Sequence, residues 1–140
     1  MKQYHTEILL NAPVKKVWQV LTDFDRYPEW NPLVGWLKGD FRTGGSIQMF
    51  IKPLNSDFSA TLKRVEVNKE FTWVGVRFAS WILSGEHYYR LEKCDDNSTR
   101  LQHGEYFRGI GSSFISQALL KKIEDTFVQH NLKLKDIVEN

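Results

Sequence analysis

A single cysteine, Cys94, stands among the 140 residues, which excludes an internal disulfide framework and a cysteine-built zinc site. No apolar run approaches the roughly 18 residues a membrane-spanning helix needs. The opening MKQYHTEILL also lacks a long apolar signal core with a small-residue cleavage site. Stable membrane insertion is therefore not expected, and the cytoplasm is the default location. Charge of one sign is scarce as well. Nineteen Lys and Arg face 17 Asp and Glu for a net +2, and the basic residues are scattered apart from Lys15-Lys16 and Lys121-Lys122. That balance gives no argument for a nucleic-acid partner. The sequence has no Walker loop, complete GxGxxG, HExxH or GxSxG, and neither a cofactor nor a metal is expected.

What the chain does contain is apolar and aromatic. Hydrophobic residues make up 41% and aromatics 14%, with five Trp and nine Phe. The length fits one domain over residues 1–140, able to bury roughly 70% of the surface its unfolded form exposes. The aromatic load must line a core, a cavity or a binding face.

Period-two alternation marks Tyr4 to Leu10 as a strand, with Tyr4, Thr6, Ile8 and Leu10 on one face. Asn11 is placed to cap a helix whose first turn holds Pro13 and whose apolar stripe is Val14, Val17, Trp18 and Leu21. Asp23 or Asp25 opens a second short turn that ends at Trp30-Asn31-Pro32. Strands follow over Val34 to Lys38, around Ile47, Met49 and Ile51, and from Phe58 through Ala60 and Leu62 to Val67. Another carries Phe71, Trp73 and Gly75 on one face. Gly85 to Glu92 and Thr99 to Phe107 form a hairpin about Asp95-Asp96-Asn97-Ser98, a turn rather than a calcium loop. A long amphipathic helix over about Ser112 to Val138 closes the chain, with Ile115, Leu119, Ile123, Phe127, Leu134 and Ile137 apolar. Strand, two short helices, about six strands and one long helix make an α+β architecture. In it a curved antiparallel sheet of about seven strands wraps the C-terminal helix, with a cavity expected between them.

NAPVKKVWQVLTDFDRYPEWNP resembles the opening of the START-like (SRPBCC) superfamily, and more narrowly its polyketide cyclase/dehydrase and lipid-transport-like branch. GEHYYRLEKCDDNSTRLQHGEYFRG resembles that branch's late hairpin. The likeness covers nearly the whole chain. It implies a helix-grip fold with an internal apolar pocket, and it supplies no reaction, because members include carriers, receptors, cyclases and chaperone activators.

The expected ligand-binding residues are Met49, Ile51, Phe58, Leu62, Phe71 and Trp73 on the sheet, with Ile115 and Leu119 from the helix. Strand parity in the hairpin adds His87, Tyr89, His103, Glu105 and Phe107 on the inward face. Trp18 and Trp30 are expected to pack rather than bind, and Trp36 belongs to the same end of the sheet. Two imidazoles and a carboxylate inside an apolar interior must pair with each other, water or a ligand. Three readings of His87, His103 and Glu105 stay open: a structural pair or anchor for a ligand's polar end, a general base with its carboxylate, or, with the weakest support, a divalent metal site. His5 and His130 fall on expected solvent faces. Gly109-Ile110-Gly111-Ser112-Ser113 is expected to turn the chain and cap the helix, and Cys94 to be structural. The apolar connection Phe78-Ala79-Ser80-Trp81-Ile82-Leu83 reads equally as a portal or contact face and as an extension of its flanking strands.

The function expected first is binding of a small hydrophobic or amphipathic ligand, a lipid or a polyketide-like aromatic, by a monomer or homodimer. The alternatives are a cyclase/dehydrase-type enzyme using a pocket His or Glu, and a protein-interaction module of chaperone-activator type using the 78–83 segment.

Overall fold

The computed structural model describes residues 2–77, 83–109, 111–112 and 115–140. Strand β1 (Lys2–Leu10) leads into α1 (Val14–Thr22), a 3-10 turn (Phe24–Arg26) and α2 (Tyr27–Trp30). Strands β2 (Val34–Gly39), β3 (Ser46–Ile51), β4 (Ser56–Glu66), β5 (Glu70–Arg77), β6 (Leu83–Asp95) and β7 (Ser98–Arg108) follow, and α3 (Gln117–Val138) ends the chain. The strands form one antiparallel sheet in the order β1-β7-β6-β5-β4-β3-β2. From β2 to β7 each strand pairs with the next, and β1 closes onto β7 across the length of the chain. The curved sheet holds α3 against its concave face, the helix-grip arrangement that the alternation and the long terminal stripe imply.

Alternation decides what the concave face presents. Tyr4, Leu10, Ile47, Met49, Leu62, Phe71, Trp73, Tyr89 and Leu101 are buried there in one core cluster with Ile123, Phe127, Leu134 and Val138 of α3. Trp18 joins that cluster from α1, its ring 5.6 Å from Phe71 edge-on. A register shift between Leu62 and Arg64 breaks strict alternation in β4 and brings Val65, rather than its neighbours, onto the core side.

Three local expectations need correction. Asn11 does not cap α1. Pro13 occupies the N-cap with extended backbone, where its missing N–H costs nothing. The long helix starts at Gln117, not Ser112. Ser116 is its cap and its hydroxyl oxygen accepts from Leu119 N at 3.1 Å, so Ile115 lies before the helix. Its last buried apolar residue is Val138 rather than Ile137. The apolar connection at 78–82 lies outside the described residues, and Leu83 opens β6.

Candidate functional site

Register places the inward residues of the central strands in cross-strand rows. One row runs Phe71, Tyr89, His103, Thr6, and the next runs Leu62, Trp73, His87, Glu105, Tyr4. A third runs Ile47, Ala60, Gly75, Gly85, Phe107. The first two carry the polar groups, and α3 supplies their partners.

His130 does not face solvent. It is fully buried, beside buried Asn131, and both continue the inner stripe of α3 between Phe127 and Leu134. Together with His87, His103, Tyr89 and Thr6 they make a hydrogen-bond network whose direction is fixed by one backbone oxygen. The His103 carbonyl only accepts, so the Thr6 hydroxyl donates to it at 2.6 Å. The Thr6 oxygen must then accept from the Asn131 amide nitrogen, at 2.8 Å. That orients the Asn131 amide oxygen toward two imidazoles, His103 Nδ1 at 2.9 Å and His130 Nδ1 at 3.0 Å, which both donate. Neutral His103 is left with a lone pair on Nε2, which accepts from His87 Nε2–H at 2.8 Å. Neutral His130 likewise accepts on Nε2 from the Tyr89 hydroxyl at 3.1 Å. Every bond has one donor and one acceptor only if His103 and His130 are uncharged, since each must keep a lone pair on Nε2. Burial pushes the same way: desolvation, reinforced by nearby His130, holds His87 and His103 well below the ordinary histidine range. His130 is lowered to about 4 by burial.

The rings stack as closely as they bond. His103 lies 4.3 Å from Phe127 and 4.3 Å from Tyr89, centroid to centroid, and His87 lies 4.2 Å from Trp73. The middle of the sheet–helix interior is therefore filled by this stack.

The neighbouring end differs. The third row carries almost no side chain over Ala60, Gly75 and Gly85. A Cβ built on Gly75 would meet, among the described residues, only the Ser59 carbonyl oxygen, at 3.6 Å, and one on Gly85 would stand 2.5 Å from Glu105 Oε2. The Glu105 carboxyl thus lies over the backbone of Gly85, in space that any larger residue would take. Among the described residues it has no ion-pair or hydrogen-bond partner, and desolvation raises it to about 8. Across β1–β7 its register partner is Tyr4. The Tyr4 ring is wedged edge-on against Phe107 at 5.5 Å and Phe127 at 5.2 Å, and its buried hydroxyl has no hydrogen-bond partner among the described residues. Burial, with Glu105 next in effect, pushes that phenol well up.

The expected ligand-binding residues divide accordingly. Met49, Leu62, Phe71, Trp73, Tyr89, His87 and His103 are buried in the packed interior, while Ile51, Phe58, Phe107 and Leu119 are partly buried against it. Ile115 is half-buried ahead of α3. Tyr4, Asn131 and His130 were not among the expected site residues. The seven-residue gap between Phe127 and Leu134 signals the last two, because a helix cannot skip a turn of its inner stripe. Two surface clefts lie away from this interior. One of about 410 Å³ is lined by Val20, Arg26, Trp30 and Ile137 among others, and one of about 490 Å³ by Pro32, Lys122 and Gln129 among others. Among the described residues no helix is long and apolar enough to cross a membrane, and no group of three or more His, Cys, Asp or Glu side chains is arranged so that it could hold a metal ion.

Solved structures share this architecture. A START superfamily protein from Mycobacterium smegmatis superposes with a TM-score of 0.74 at 14% identity, over 98% of this chain and 97% of that one. The Zhui aromatase/cyclase from a Streptomyces species gives 0.73 at 15%, over 99% and 93%. A hypothetical protein from Helicobacter pylori gives 0.81 at 14%, over 98% and 88%. At such identities the likeness is one of fold. No curated protein matches the sequence. The family described as polyketide cyclase/dehydrase and lipid transport matches residues 1–136, and with almost the whole length aligned, the chain belongs to that family.

Proposed function

We propose that the chain binds a small hydrophobic or amphipathic ligand between the sheet and α3, at the end floored by Ala60, Gly75 and Gly85. Trp73, Phe107, Met49, Phe58 and Leu119 are the apolar walls of this reading, and Tyr4 and Glu105 its polar end. One observation carries it. A phenol buried without a hydrogen-bond partner among the described residues, Tyr4, is the cross-strand partner of a half-buried carboxyl, Glu105, which lies over a strip stripped of side chains. Leaving the buried phenol unpaired costs about 1–3 kcal/mol, a penalty that a guest with a polar tip removes. The histidines take the structural role among the three open readings, since their hydrogen bonds are already made. Family membership and the fold of an aromatase/cyclase support the same class of guest.

The test is a thermal-shift and native mass spectrometry screen against fatty acids, sterols and aromatic polyketides. Stabilisation and a retained mass are expected in at least one class, and silence in all three counts against the proposal. A second reading, chemistry of cyclase or dehydrase type, draws on the carboxyl held near 8, within the range where an acid exchanges protons at neutral pH. Under it, Glu105→Gln abolishes turnover of a bound chain while binding persists.

A further inference from the structure

The polar groups beside the glycine strip say more about the guest than its greasiness. Tyr4 and Glu105 are direct cross-strand partners on the concave face. Facing side chains in such a pair stand about 5 Å apart at Cβ, close enough for both to reach one small group. The Tyr4 hydroxyl is a buried donor with nothing to accept from it among the described residues. The Glu105 carboxyl sits in the Gly85 notch with no cation against it among the described residues, so its stable form there is the neutral acid, also a donor. The third polar neighbour in the row, His87, has its Nε2–H committed to His103. The row therefore offers two uncharged donors and no counter-charge.

We infer that Tyr4 and Glu105 form a two-donor cradle for a single uncharged acceptor oxygen, so that the guest is a carbonyl compound, a ketone, quinone or lactone, rather than a carboxylate. This rests on the ligand-binding reading above and narrows it. A carboxylate brings a charge that neither donor neutralises and sets it beside a group that is itself an acid. A ketone accepts both protons without ionising anything.

Three naphthalenes of one size separate the possibilities by calorimetric titration at pH 7: 2-acetylnaphthalene, 2-ethylnaphthalene and 2-naphthoate. The ketone is expected to bind about thirtyfold tighter than the hydrocarbon, since two neutral hydrogen bonds at about 1 kcal/mol each make about 2 kcal/mol and 1.4 kcal/mol is tenfold. Naphthoate is expected to bind more weakly than either. In Tyr4→Phe the ratio of ketone to hydrocarbon affinity should fall toward about five, because one donor is gone. That variant also sheds an unpaired buried hydroxyl, so it should fold at least as stably as the parent and remain measurable. In Glu105→Gln, whose amide still donates, the ketone preference should persist. Equal affinity for ketone and hydrocarbon, tighter binding of naphthoate, or an unchanged ratio in Tyr4→Phe would overturn the cradle while leaving a ligand-binding interior intact. If none of the three binds, the ligand-binding reading falls and the cradle with it.

Discussion

Acid should destabilise this protein well above the pH at which its surface carboxylates titrate. The perturbation is a change from pH 7 to pH 5. In the unfolded chain His87, His103 and His130 take up protons below about 6.5, whereas in the native chain burial and the one-way network keep all three neutral. A group whose native value is depressed stabilises fully above its unfolded value and less and less below it, by about 1.4 kcal/mol per pH unit. Over this interval three such groups together lose about 5–6 kcal/mol. Glu105 works in the opposite direction. Its native value near 8 lies above the ordinary 4.5, so the native state holds a proton that the unfolded chain has released, and its contribution grows as pH falls through that window. It offsets about 2 kcal/mol, leaving a net loss of about 3 kcal/mol against typical total stabilities of 5–15 kcal/mol. Glu7, Asp95 and Glu139 are held below the ordinary carboxylate range by exposed hydrogen-bond partners, and their effects therefore begin below this interval. Urea unfolding at pH 7, 6 and 5, followed by tryptophan fluorescence, reads the slope directly. Glu105→Gln removes the opposing term and should steepen the loss to the full histidine value. A urea midpoint that stays constant or rises between pH 7 and 5 would refute the reasoning, because it requires that the histidines be charged or solvated in the native state.

Two further expectations concern packing. Asn131→Leu removes the shared acceptor of His103 and His130 and the donor to Thr6. It should cost about 3–5 kcal/mol, and a loss under 1 kcal/mol in denaturant would show that these bonds are dispensable. The glycines at 45 and 85 should behave differently although both are crowded. A Cβ at 45 meets the Asp40 carbonyl oxygen, which is fixed backbone, whereas at 85 it meets only the mobile end of Glu105. Gly45→Ala should therefore cost about 2 kcal/mol or more and Gly85→Ala less than about 1 kcal/mol, with the second displacing the Glu105 carboxyl. Melting temperatures measured side by side decide it, and equal losses would mean that the Gly85 notch is rigid.

The alternation of the hairpin strands made much of the interior legible. His87, Tyr89 and Leu91 against Leu101, His103 and Glu105 is a pattern that register alone converts into an inward polar group. Tyr4 could be placed on the inner face of its strand by the same means, yet its position beside Glu105 depends on β1 pairing with β7 at the far end of the chain, and no local pattern encodes that partner. His130 and Asn131 were missed for a different reason. Polar residues on a helix default to the solvent side, and only the hydrogen-bond partners waiting on β1, β6 and β7 make their burial tolerable. The start of α3 was misplaced because Ser112, Ser113 and Ser116 all suit a cap, and only the bond from Leu119 singles out the last.

Three imidazoles within one interior would ordinarily invite chelation. Here the Nε2 lone pairs of His103 and His130 are already occupied, by protons from His87 and Tyr89, so they do not converge on empty space. Soft divalent ions added to the purified protein find those nitrogens free only after the chain has come apart. By mass action, zinc or copper in the buffer then acts as a mild denaturant, and a chelator as a stabiliser.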